Sequence, residues 1–330
     1  MMARLLSSEP QREDEALISL RPSTLDEYVG QSRVKARLDI SIKASMMRGD
    51  VLDHILLAGP AGLGKTTLAI VVANEIGSRL HTTSGPVVER QGDLAAVLTS
   101  LAPRDVLFID EIHRLPHAVE EVLYSAMEDF QLDVMVGKGP GARSVRLSIN
   151  PFTLIGATTR SGLLTSPLRN RFGMILEMDF YTIDDLMRIA VRTAKLLEIK
   201  MDDESASEIA RRARGTPRVV NRFVKRIRDY ATVKSVKVID KQIVHEAFES
   251  LQIDDNGLDD MDRKILSKIS KDYGGGPVGL NALAASVGIE AETINEVYEP
   301  YLLQGGFVAR TARGRVLTQK GYSAIGESLI

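Results

Sequence analysis

Apolar residues arrive along this chain in two rhythms. In its first part they come as short unbroken runs: Ile55-Leu56-Leu57-Ala58 after His54, Val106-Leu107-Phe108-Ile109 after Asp105, and Phe152 to Ala157. Helix-like stretches such as Lys65 to Ile76 lie between the runs. A strand that is apolar on both faces must be covered on both, so this alternation predicts a parallel sheet between helical layers. Residues 1–16 are polar and read as loose. Ser23 to Gly49 reads as a helix-rich lead-in, with Tyr28, Val29, Val34, Leu38 and Ile42 forming one buried face. Leu132 to Val136 and Ser144 to Ile149 alternate around the glycine-rich 137–141, which predicts a β-hairpin inserted into the α/β domain.

Beyond Phe180 the spacing turns helical, at Asp184–Leu197, Ser205–Arg214 and Val219–Val233. Asp254-Asp255-Asn256-Gly257 is a turn-rich boundary. After it come three helical stretches, then Phe307–Arg310, a turn, and Arg315–Thr318, the outline of a winged helix. The expected division is a large α/β P-loop domain over 1–180, a small all-helical lid over 181–255 and a winged-helix head over 256–330.

Candidate chemistry sits where the apolar runs end. Gly59-Pro60-Ala61-Gly62-Leu63-Gly64-Lys65-Thr66 has two glycines bracketing four residues, then Lys and Thr, between a strand run and a helix. Glycines let successive N–H groups turn inward on phosphates, and the helix N-terminus adds to that field. Lys65 would reach the β- and γ-phosphates of ATP, and Thr66 would ligate Mg²⁺. Asp110-Glu111 closes the second run at the strand edge where open sheets bind ligands. Asp110 is expected to hold Mg²⁺ through water, and Glu111 to polarise the attacking water. His113 and His117 have metal-compatible spacing, but Pro116 interrupts the helix and no third ligand is evident, so they read as turn residues.

Composition narrows the classes. A net charge of -2 over 330 residues gives no global nucleic-acid signature, so any DNA contact has to be a local patch. Between Pro300 and Gly326 the only charged residues are Arg310, Arg313, Arg315 and Lys320, and arginines on a short wing suit phosphate contact without sequence reading. The absence of cysteine excludes disulfides and thiolate zinc sites, and fits a reducing cytoplasm. No signal-peptide core and no apolar run of spanning length are present, so no membrane role is expected.

Taken together, the motifs resemble AAA+ ATPases of the RuvB type. The resemblance is carried by Asp110-Glu111-Ile112-His113-Arg114, Gly156-Ala157-Thr158-Thr159-Arg160, Ser166 to Gly173 and Arg214-Gly215-Thr216-Pro217-Arg218. It continues through Gly276 to Leu280, Tyr298-Glu299-Pro300-Tyr301-Leu302 and Arg310 to Arg315, covering about Leu20 to Thr318. It implies that Thr159 senses the γ-phosphate, that Arg171 is an arginine finger serving a neighbouring subunit, and that Arg218 reaches the nucleotide from the lid. It also implies ATP or ADP contacts at Leu20, Arg21, Gly62, Gly64, Lys65, Thr66, Thr67, Tyr181 and Pro217, with the neighbourhood of Glu128, Asp129 and Phe130 added.

The resemblance further implies a homo-hexamer on double-stranded DNA that drives branch migration at four-way Holliday junctions in recombination and repair. RuvA would dock on the 132–149 hairpin through Val134, Val136, Leu147 and Ile149, and RuvC would join in the resolving complex. Ala61 and Ala312 stand where the family usually has proline; both keep a backbone N–H in place. The rival readings are a clamp-loader-like assembly ATPase and a nucleotide-switched winged-helix protein with little turnover.

Overall fold

Residues 21–136 and 143–327 are described in the computed structural model, those at 134–136, 143 and 144 by their backbone alone. Leu20 and the hairpin tip at 137–142 lie outside the described residues. Five parallel strands form the central sheet: β1 (Ile55–Ala58), β2 (Leu80–Ser84), β3 (Val106–Asp110), β6 (Thr153–Thr158) and β7 (Met174–Glu177), in the order β2-β3-β6-β1-β7. The three apolar runs are its three middle strands, buried along almost their whole length. Their side chains alternate between two cores. Ile55, Leu57, Phe108 and Ile155 face one; Leu56, Leu107, Ile109 and Leu154 face the other. Fully burying a residue of this kind contributes about 1.5–3 kcal/mol, so the middle strands anchor the unit.

The two outer strands were not legible. The sequence of β2 is Leu-His-Thr-Thr-Ser, half exposed at the sheet edge, and β7 has only four residues. The lead-in also differs from expectation. Its helix begins only at Ser32 and runs to Arg48, because Gly30 and Gln31 both take left-handed φ values. Val34, Leu38 and Ile42 do line its buried face, whereas Tyr28 sits in the preceding turn.

The expected hairpin pairs β4 (Gln131–Val136) with β5 (Arg143–Ser148), antiparallel. Its base is core: Leu132 is fully buried and Ile149 is 9% exposed, packed with Phe152. Ile149 is therefore removed from the expected docking set. Of that set Leu147 is 41% exposed, with Val145 beside it on β5 at 40%, and the side chains of Val134 and Val136 lie outside the described residues.

The lid is built from the helices Ile183–Leu196, Asp203–Arg212, Pro217–Val233 and Lys241–Ser250, with the two-residue strands β8 (Lys200–Met201) and β9 (Val238–Ile239). Thr182, Asp202 and Asp240 cap three of these helices through their side chains, each worth about 1 kcal/mol. Apolar contact runs without a break from the large unit into the lid, through Tyr28, Tyr181, Leu186 and Phe223.

The head has a separate core of Ile265, Leu266, Leu283, Leu302 and Phe307. Its wing pairs β10 (Val308–Thr311) with β11 (Gly314–Leu317), antiparallel. Lid and head meet through charge. Arg214 Nη2 lies 2.7 Å from the fully buried Asp262 and 3.0 Å from Asp259, while its Nε donates to Gly257 O. Burial pushes the Asp262 carboxyl up to about 7, against the pull of Arg214.

Candidate nucleotide site and DNA wing

Because β6 lies between β3 and β1, the ends of three strands converge. The P-loop leaves β1, Asp110-Glu111 leaves β3 and Thr159 leaves β6, each about 4.8 Å from the next in the sheet. Gly64 takes φ 96° as it opens the helix Lys65–Glu75, and a Cβ there would lie 2.7 Å from Tyr28 Oη. Gly62, at φ 82°, lets the lid approach: Arg218 N–H reaches its carbonyl at 3.4 Å. Lys65 Nζ donates to the carbonyls of Gly59 (2.7 Å) and Pro60 (2.9 Å). Burial lowers the Lys65 pKa, Glu111 and Asp110 oppose that shift, and the Arg218 charge adds to it. Asp110 is pushed up by burial, partly offset by the N–H of Glu111 on its Oδ1 at 3.0 Å. Lys65, Asp110, Glu111 and Arg218 thus act on one another across one small volume.

Glu111 adopts φ 45°, and its Oε2 accepts from Thr159 Oγ1 at 3.1 Å. His113 Nδ1 lies 3.2 Å from the same oxygen and 2.9 Å from Thr158 Oγ1. The histidine read as a turn residue is therefore a neighbour of the candidate base. Among the described residues no three His, Asp or Glu side chains come together as a metal-ion site. A hydroxyl at Thr66 and a carboxylate at Asp110 do suit Mg²⁺, which keeps several waters and takes one or two protein oxygens.

Beside the P-loop, a small cleft of about 80 Å³ is lined by Arg21, Tyr28, Gly64, Thr67, Tyr181 and Pro217 among others. Five of those six come from the expected nucleotide set. Tyr28 does not, having been assigned to a helix face. Tyr181 Oη donates to Leu63 O at 3.1 Å and lies 3.1 Å from Tyr28 Oη, so the two phenols brace the loop from behind. A tyrosine beside a Gly-Gln turn gives no sequence signal of that role.

Arg171 lies elsewhere. It follows the helix Ser166–Asn170 and precedes β7, at the edge where the strands begin. Its Nη2 meets Glu128 Oε2 at 3.0 Å, Nη1 donates to Pro167 O, and the guanidinium stacks 4.6 Å over Tyr124. Phe130 packs against His54 and Phe152 at that same edge. His54 opens β1 and the P-loop closes it, a separation of roughly 13 Å along four residues. Glu128, Asp129 and Phe130 stand with Arg171, away from this chain's own cleft.

The wing holds its arginines in different ways. Arg315 forks onto Glu299 with Nε–Oε1 2.7 Å and Nη2–Oε2 2.9 Å, and Arg310 reaches Glu299 Oε2 at 2.7 Å. Glu299 is 3% exposed. Its burial raises the pKa, but the bonds from Arg315 and Arg310 outweigh that and hold it below the ordinary glutamate range. Arg315 is thus a structural pin of the wing, held on a buried carboxylate. Arg310 keeps one exposed side, and Lys320 Nζ stacks 4.6 Å over Phe307. Arg313 stays exposed at the turn. The missed signal was Glu299, an acid within an otherwise apolar helix start.

Three family models cover the described architecture from end to end. The Holliday junction DNA helicase RuvB P-loop domain matches residues 20–178, the RuvB AAA lid domain 181–254, and the RuvB C-terminal winged helix domain 255–326. The chain belongs to the RuvB family. Its fold is accordingly that of an AAA+ P-loop ATPase followed by lid and winged helix. The RuvB subunit of the Holliday junction branch migration complex from Kosmotoga olearia is 60% identical over 326 residues, covering 99% of this chain and 95% of that protein. The Thermotoga maritima RuvB subunit is 59% identical, covering 97% of this chain and 96% of its own. A solved structure of Thermotoga maritima RuvB, described as a Holliday junction branch migration motor, superposes with a TM-score of 0.88 at 56% identity, covering 94% of this chain and all of that one.

Proposed function

We propose that this RuvB-family ATPase is a hexameric ring motor that draws duplex DNA through four-way junctions, in recombination and repair, with each ATP held between two subunits. One observation carries the reading: Arg171 and the P-loop occupy opposite edges of the same sheet. An arginine that cannot reach its own nucleotide is suited to a neighbour's, and one supplied in trans is worth about 10³–10⁵ in phosphoryl transfer. Firing then depends on assembly. Glu128, Asp129 and Phe130 belong to the same donated face.

Within a subunit, Lys65 and the P-loop N–H groups hold the phosphates, Thr159 and Arg218 sense the γ-phosphate, and Glu111 takes the proton of the attacking water. Thr66 and Asp110 would hold Mg²⁺, which neutralises charge between the β- and γ-phosphates when bound. Arg21, Thr67, Tyr181 and Pro217 line the base end of the cleft. The working units are 1–180, 181–255 and 256–330. The exposed Val145 and Leu147 on β5 offer an apolar face for RuvA. RuvC and a cytoplasmic setting follow from the same role.

The test is complementation with a synthetic four-way junction present. Lys65→Ala and Arg171→Ala chains, each inactive alone, regain hydrolysis when mixed, because some interfaces then carry both intact groups. If no mixing ratio restores hydrolysis, the shared-site reading fails.

A further inference from the structure

Arg160 follows Thr159 directly and crosses to the head. Its Nη2 lies 2.8 Å from Glu296 Oε1 and 3.5 Å from Glu292 Oε1, while its Nε is buried without a hydrogen-bond partner. Glu296 stands on a wide π-helical turn, Ile294–Tyr298, a form that recurs at functional sites. On the other side, the Arg160 N–H donates to Thr158 Oγ1 at 2.9 Å. Thr158 Oγ1 meets His113 Nδ1, and both His113 and Thr159 hold Glu111 Oε2. A carboxylate of the head is thus one residue removed from the group that grips Glu111, although along the chain the whole lid separates them.

The geometry points to Arg160 as a positioning residue that reports the place of the winged-helix head to Glu111. With Arg160 on Glu296, the sensor turn is held down and Thr159 and His113 engage the lone pairs of Glu111 that would accept a proton from water. When DNA draws the head away, the ion pair opens, the turn relaxes and Glu111 is released. The pair suits such exchange because it is partly exposed: about 29% at Arg160 and 33% at Glu296. Partly solvated ion pairs are held weakly. Hydrolysis without DNA is thereby kept low. The inference rests on Glu111 being the base.

The experiment measures steady-state ATP hydrolysis by the full-length chain at saturating ATP, with and without duplex DNA. The variants are Arg160→Ala and the combined Glu292→Gln, Glu296→Gln. Both should raise the DNA-free rate about 5-fold or more, the lower range of coupling between sites, and shrink the DNA stimulation by the same factor. The reversed pair, Arg160→Glu with Glu296→Arg, should bring the DNA-free rate back down. An unchanged or lowered DNA-free rate in the carboxamide variant overturns the inference, as does a reversed pair that stays fast. Glu111→Gln is measured alongside. If that variant hydrolyses ATP normally, the assignment of the base has failed, independently of Arg160.

Discussion

The P-loop and the wing both gather positive charge, yet they leave it in opposite states. At the P-loop, Lys65 Nζ donates to two backbone carbonyls and, among the described residues, makes no ion pair. At the wing, Arg310 and Arg315 converge on one buried carboxylate. A lysine resting on neutral acceptors can exchange them for phosphate. An arginine forked on a buried glutamate cannot leave without stranding a charge in the protein. The two regions look alike in sequence and differ in whether a counter-charge has already claimed the cation.

The largest effect that would break this comparison lies at Lys65. Lys65→Ala should cut hydrolysis about 10²–10³-fold, the usual loss when one preorganised donor to a developing charge is removed. Thermal unfolding should hardly move, because the two bonds to backbone carbonyls are lost together with the cost of burying the ammonium. A variant that loses its melting transition along with its activity would show that Lys65 is a structural pin, as Arg315 is.

The wing should give the reverse pattern. Glu299→Ala leaves Arg310 and Arg315 facing one another without a counter-charge, and should lower the stability of the head by about 3–5 kcal/mol, the cost of breaking a buried pair. Denaturant unfolding read through the head's tyrosines measures it. The pH dependence has a definite sign. The Glu299 carboxyl is held below its ordinary value in the folded state, so its contribution is complete above the ordinary glutamate range and fades as pH falls through the lowered value. The gap between wild type and Glu299→Gln should therefore close in acid. A constant gap would mean that the wing arginines are held by something else.

The same contrast explains what the sequence made legible. The P-loop, Asp110-Glu111 and Thr159 were readable because each is a contiguous motif at the end of an apolar strand, and backbone geometry does the positioning. The three middle strands were readable because burial on both faces leaves an unbroken run; β2 and β7 lie at the edges, where that constraint lapses. Glu299 and Arg315 stand 16 residues apart, and only the packing of the wing on the preceding helix joins them. The Arg171–Glu128 pair spans 43 residues and joins two helix ends. Side-chain pairing across elements leaves no local pattern, so charge near the wing could be counted but not assigned.

Arg313 offers the smallest effect and the sharpest comparison. It sits in the turn between β10 and β11, exposed, with its N–H on Thr311 Oγ1, and no ion pair is made by it among the described residues. The next residue must be glycine: a Cβ on Gly314 would lie 2.3 Å from the Val278 carbonyl, so the turn is clamped against 278 and presents Arg313 outward. A clamped, unclaimed guanidinium is suited to one phosphate. Arg313→Ala should reduce the slope of log affinity against log salt by about 0.9, the contribution of one duplex phosphate contact, and should do so equally on unrelated sequences. Its melting temperature should match the parent. Arg315→Ala, two residues away, should lower the melting temperature first and lose DNA only as a consequence. If Arg313→Ala leaves the salt slope untouched while Arg315→Ala changes it in a fully folded protein, the division of the wing into pin and contact is reversed.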